Sequence, residues 1–113
     1  MKNDIEQYVA NAAEHGRWTE TGNSKKGNAA FDRMEAALTR LRQRRDKGES
    51  ILTELLGHPD GWVKLEAATH LLPLRPDRAC TTLEELSSGP QSYLEFNAKM
   101  VLREWRSGRL KVL

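Results

Sequence analysis

The feature that most limits what this chain can fold into is a match of the chain to itself at an offset of 31 residues. Laid over residues 83–102, residues 52–71 place Leu52 on Leu83, Leu55 on Leu86, Pro59 on Pro90 and Trp62 on Tyr93. In the same register Val63 falls on Leu94, Leu65 on Phe96, Ala67 on Ala98 and Leu71 on Leu102. Apolar meets apolar, proline meets proline and small meets small without a gap. A period of this length marks a supersecondary unit that cannot bury its apolar faces alone and stacks on its neighbour. Shifting backwards gives a fainter echo, Phe31 on Trp62, Met34 on Leu65 and Ala36 on Ala67, broken where Asp32 falls on Val63.

Within each unit the apolar spacing is helical. Ile5, Tyr8, Val9, Ala12 and Ala13 recur at i, i+3, i+4, i+7 and i+8, one face of an amphipathic helix, and His15-Gly16 is expected to end it. The polar stretch Thr19–Asn28 reads as a loop or helix entry. Phe31, Met34, Leu38 and Leu41 mark a second helix closed by Asp46-Lys47-Gly48. Ile51, Leu52, Leu55 and Leu56 mark a short third, stopped by Gly57. Pro59 is expected at the first position of the fourth helix, which carries Val63, Ala67 and Leu71, and Pro90 at the equivalent place in its repeat. Pro73 and Pro76 bracket the next corner. Ala79, Leu83 and Leu86 carry the fifth helix. Leu94, Ala98, Val101 and Trp105 carry the sixth, ended by Ser107-Gly108, with Trp105 expected in the core.

The expected fold is therefore all-α: one domain over residues 1–113 of about six helices, a right-handed stack of antiparallel helical hairpins. Residues 1–48 form a degenerate N-terminal helix pair, and residues 49–73 and 76–107 form two repeats. Ala67 and Ala98 are read as small residues that let neighbouring helices approach.

The stretch HPDGWVKLEAATHLL resembles a HEAT repeat, an α-solenoid unit. More closely, the chain is similar to an uncharacterised bacterial domain-of-unknown-function family, the one numbered two-thousand-and-nineteen. The matching pieces are NAAFDRMEAALTRLR at 28–42, LLGHPDGWVKLEAATHLLPLRPDRA at 55–79 and AKMVLREWRSGRLK at 98–111. The resemblance implies a small HEAT-like superhelix and a place beside bacterial toxins, as an immunity-type protein. It carries no established catalytic residues, so none is transferred.

Composition narrows the function classes. Net charge is +2, too small by itself for a nucleic-acid binder. The charge is uneven: residues 31–48 hold six Lys/Arg against three Asp/Glu, while the remainder is nearly balanced. Cys80 is the single cysteine, so neither an intramolecular disulfide nor a cysteine-rich metal box is available. The opening stretch Met1-Lys2-Asn3-Asp4-Ile5-Glu6 is polar overall and no apolar run reaches bilayer length, so a cytoplasmic location is expected, with no membrane partner.

The residue types that could carry chemistry read as structural. His58 and His70 are separated by about three helical turns, roughly 15 Å, too far to share one metal. Asp60 is expected to cap the fourth helix and His70 to lie on its face. Glu84 and Glu85 point about 100° apart and share no substrate. Cys80 reads as a small buried residue, and no nucleotide, zinc-protease or triad signature is present. No catalytic, cofactor or metal residue is expected, and the chain is not read as an enzyme. Two features remain for partner binding. Arg40, Arg42, Arg44 and Arg45 with Lys47 form a basic segment, either a rim for an acidic partner or cations at a helix C-terminus, with Arg40 and Arg44 sharing a face. Trp18, in the polar stretch, either anchors a partner or plugs the end of the stack. The expected function is a non-enzymatic protein-binding module whose partner is another protein, for an immunity protein a cognate toxin. The alternative is a nucleic-acid-associated helical protein using residues 40–47.

Overall fold

The computed structural model describes residues 3–90 and 92–110. Among them the chain forms six helices and no strand: α1 Asp4–Thr21, α2 Ser24–Arg42, α3 Glu49–Leu55, α4 Gly61–Leu71, α5 Pro76–Ser87 and α6 Ser92–Arg106. They group into two compact units, Met1–Ile51 and Leu52–Leu113.

The first unit is a hairpin of α1 and α2. Asn3 caps α1 by accepting the Glu6 N–H at 2.8 Å. The helix does not stop at His15-Gly16 as the sequence suggests. Gly16 falls eight residues after Tyr8 and is buried with it and Ala12, so this glycine is a small residue on the packed face. The real stop is Gly22, held at φ +76, a left-handed conformation that favours glycine. Its N–H and that of Asn23 close on Thr19 O and Trp18 O at 3.3 and 3.0 Å. Asn23 then caps α2 by accepting the Lys26 N–H. The polar stretch, read as a loop or helix entry, is thus helix on both sides of a Gly22-Asn23 connection, with α2 entered at Ser24.

Contacts run in opposite order along the two helices, so the pair is antiparallel. Gly27 stands against Trp18 and His15, Arg33 bonds Asn11 and Glu14, and Arg40 bonds Gln7 and Asp4. The buried stripe of α2 is Ala30, Met34, Ala37, Leu38 and Leu41. Phe31, expected in that stripe, is exposed, and so is Ala36, whose match to Ala67 belonged to the backward echo. The packed face lies one residue to the side, where alanines let α1 come close.

The second unit holds α4, α5 and α6 with the end of α3. Leu52 and Leu56 are buried before Gly57. Asp60 is the N-cap of α4 and accepts the Trp62 N–H at 2.8 Å, as expected. Pro59 therefore stands one residue before the cap, not at the first helical position: the side-chain acceptor, not the ring, begins this helix. Pro76 does occupy the first turn of α5. Helix starts at Gly61 and Ser92 reproduce the 31-residue offset, with Pro59 and Pro90 each two residues upstream. Ala67 and Ala98 are both fully buried. α4 is apolar nearly all round, burying Trp62, Val63, Leu65, Ala67, Ala68, His70 and Leu71, as befits an interior helix.

α6 packs on both α4 and α5. Its first turn meets that of α4 so closely that a Cβ on Gly61 would collide with Leu94 Cδ2. Late in α5, Glu84 faces Arg106 at the end of α6 at 3.6 Å. Gly108, at φ +78, ends α6 as expected, and Arg109 folds back onto Glu104 at 2.8 Å.

Candidate protein-interaction surfaces

Side chains that fold this chain must be separated from side chains left over. In the first unit two of the candidate residues, Trp18 and Arg40, belong to the fold. Trp18 is half-buried on α1, not in a loop. Its Cβ lies where a Cβ on Gly27 would touch it at 3.5 Å, and its indole Nε1 donates to Glu14 Oε1 at 3.3 Å. The Lys26 ammonium sits 4.6 Å from the ring centroid. Trp18 therefore covers the tight end of the hairpin. Donation by Trp18, then by Arg33, holds the Glu14 carboxyl below its ordinary value.

The basic segment divides in two. Arg40 is a strut of the hairpin, its guanidinium bonding Asp4 at 2.6 Å and Gln7 at 2.8 Å. α2 ends at Arg42, so Arg40 and Arg44 do not share a helical face. Arg42 is half-buried, whereas Arg44, Arg45 and Lys47 are exposed in the turn that follows. The side chains of Arg44 and Arg45 make no hydrogen bond or ion pair among the described residues.

This turn is built, not loose. Asp46 Oδ1 accepts the Gly48 N–H and Oδ2 accepts the Ser50 N–H, both at 3.0 Å. The Ser50 backbone bond, then the Ser50 side chain and Gly48, hold its carboxyl below the usual aspartate range. Lys47 and Gly48 adopt φ of 59 and 84, and a Cβ on Gly48 would press on Leu41 O at 3.3 Å. Three cations are thereby presented on an ordered turn.

In the second unit the His58-Pro59-Asp60 corner is occupied by capping. His58 Nδ1 accepts the Asp60 N–H at 3.0 Å while Asp60 caps α4. His70 is buried on α4. Cys80 is half-buried, and burial pushes its thiol pKa up, away from a reactive thiolate. A cleft of about 550 Å³ between α3 and α5 mixes Glu54, Asp77 and Glu85 with Arg78. No helix is long and apolar enough to cross a membrane among the described residues.

The surface that sequence reasoning missed lies on α6. By the repeat register Tyr93 and Phe96 stand where α4 has Trp62 and Leu65, residues only 6% and 3% exposed. Tyr93 and Phe96 are instead 54% and 58% exposed, and Met100 is 40% exposed. At about 100° per residue these three share one face, roughly opposite the buried Leu94, Ala98 and Leu102. Matched positions differ in burial here for a topological reason: α4 has helices before and after it, whereas α6 is the last helix described. Trp105, expected in the core, is likewise only half-buried near this end. The signal was present as a second apolar stripe on the final helix.

A family model described as Domain of unknown function (DUF2019) matches residues 5–105. The chain belongs to the DUF2019 family. Searches of curated proteins and of solved structures found no match. For DUF2019 the matched span takes in all but the first residue of α1 and the last of α6, so both apolar faces of α6 lie within the family domain.

Proposed function

We propose that this DUF2019 chain is a non-enzymatic protein-binding module with a HEAT-like stack of hairpins, and that it acts sterically in the cytoplasm as an immunity-type protein covering a toxin. The observation that carries the binding reading is the exposed stripe Tyr93, Phe96 and Met100 on the outer face of α6. A helix face turned to solvent is normally polar. Here that face is aromatic and apolar, the residue class enriched at the energetic centre of protein interfaces. The matched starts of α4 and α6 and the buried Ala67 and Ala98 support the stacked reading. Arg44, Arg45 and Lys47 supply charge that steers an acidic partner, a role that acts on association rate.

The test is co-purification from the native host with tagged wild type, Phe96→Glu, and Arg44→Gln/Arg45→Gln. Wild type recovers a partner protein, Phe96→Glu loses it, and the arginine variant binds it more slowly. Co-expression with a toxin encoded beside this chain is rescued by wild type alone. Recovery of no protein, with steeply salt-dependent binding to random duplex DNA, overturns the proposal in favour of a nucleic-acid role.

A further inference from the structure

The spacing of the exposed residues on α6 says more than that something binds there. Tyr93, Phe96, Met100 and Arg103 follow one another at steps of three, four and three residues. This is the a-d-a-d pattern of a helix–helix seam. It reads the same in both directions about its midpoint. A stripe of that kind is self-complementary under a two-fold axis, where residue i meets j and j meets i. We propose that α6 pairs antiparallel with α6 of a second copy of this chain. The inference rests on reading the outer face of α6 as a protein contact surface.

In that pairing Phe96 meets Met100 of the second copy, a sulfur–aromatic contact, and occurs twice by symmetry. Tyr93 meets Arg103 of the second copy. Arg103 is exposed and its guanidinium makes no hydrogen bond or ion pair among the described residues, so it is free to lie over the tyrosine ring. A parallel pairing would instead set Arg103 against Arg103. Antiparallel packing also opposes the two helix dipoles favourably. Lys99, beside the seam, comes near its own counterpart, but it is tied to Glu95 at 3.4 Å, so the charge arriving there is compensated.

The area sets the strength. A fully buried aromatic removes about 150–250 Å² from water. With Tyr93 and Phe96 each a little over half exposed and Met100 added, each copy offers on the order of 300 Å². A standard stable interface uses about 800 Å² per partner. The pair is therefore a weak, concentration-dependent dimer, which gives way when another protein takes the same stripe.

The test is sedimentation equilibrium across a concentration series. Wild type shifts from one chain mass towards two. Phe96→Glu and Arg103→Glu weaken the association at least tenfold while their circular-dichroism melts match wild type. Register is read by cysteine cross-linking in a Cys80→Ser background. Asn97→Cys, one residue from the midpoint, forms an intermolecular disulfide. Ser107→Cys does not, because its two copies stand roughly 27 Å apart along antiparallel helices. A disulfide at 107 in place of 97 overturns the antiparallel pairing. A wild type monomeric at every concentration overturns self-association altogether. In that case a host partner lost with Phe96→Glu leaves the protein-binding reading standing, and failure to recover any partner removes that reading too.

Discussion

Replacing Ala98 with leucine tests the packing on which the repeat reading depends. Ala98 is fully buried on the face of α6 that also carries Leu94 and Leu102. Leucine adds three carbons. Were there an empty pocket, burying them would stabilise the fold by about 2.4 kcal/mol, at about 0.8 kcal/mol per carbon. The structure argues against such a pocket. α4 and α6 approach so closely that Gly61 has no space for a Cβ beside Leu94. In a close-packed interior the added carbons force off-rotamer side chains and backbone shifts, a loss of about 1–3 kcal/mol. Each kcal/mol lowers the melting temperature of a unit this small by about 4–8 °C. Ala67→Leu should cost a similar amount, because Ala67 is the matched residue on α4 and is equally buried. Ala36→Leu is the control: Ala36 is exposed, and leucine there should shift stability by less than about 0.5 kcal/mol. Urea titrations followed by circular dichroism would measure all three. If Ala98→Leu and Ala67→Leu both unfold at the wild-type midpoint, neither alanine stands between packed helices and the reasoning is wrong.

Four further outcomes are expected. Gly61→Ala should destabilise wild type but not a Leu94→Ala background, with a coupling of about 1 kcal/mol in a double-mutant denaturation cycle; strict additivity would remove the close contact. Asp46 has a folded pKa below its unfolded value near 3.8, so its stabilising effect is complete above that value and disappears as pH falls through the folded one. Asp46→Asn should therefore flatten the acid side of the stability–pH curve, and an unchanged slope would show that the turn does not depend on this carboxylate. Arg40→Gln should cost at most about 1 kcal/mol, as expected of a largely exposed ion pair, whereas Arg44→Gln/Arg45→Gln should leave the melt unchanged; equal losses would refute the division of the basic segment. Trp62 Nε1 is buried with no hydrogen-bond partner among the described residues, so Trp62→Phe should cost less by urea titration than the 3–5 kcal/mol loss, approximately, of a full truncation to alanine, since it removes an unsatisfied donor with the ring.

The sequence by itself determined the helices of the second unit and their match at 31 residues, because apolar periodicity, caps and prolines are local properties. Asp60 could be read as a cap and Ala67 with Ala98 as buried small residues for the same reason. It ended α1 too early, at Gly16, because a glycine on a packed face and a glycine at a helix end are the same letter. Only the approach of α2 distinguishes Gly16, buried within α1, from Gly22, which ends it at positive φ. Tertiary structure likewise divided the arginines: Arg40 reaches back across the chain to Asp4, while Arg44 and Arg45 find no such partner among the described residues. It decided burial on α6 as well. Trp62 and Tyr93, Leu65 and Phe96 are equivalent as letters in a repeat, yet the first of each pair is covered and the second faces solvent. A repeat pattern records which face a residue occupies on its own helix. Whether that face is covered depends on which helix comes next, and for α6 none follows among the described residues.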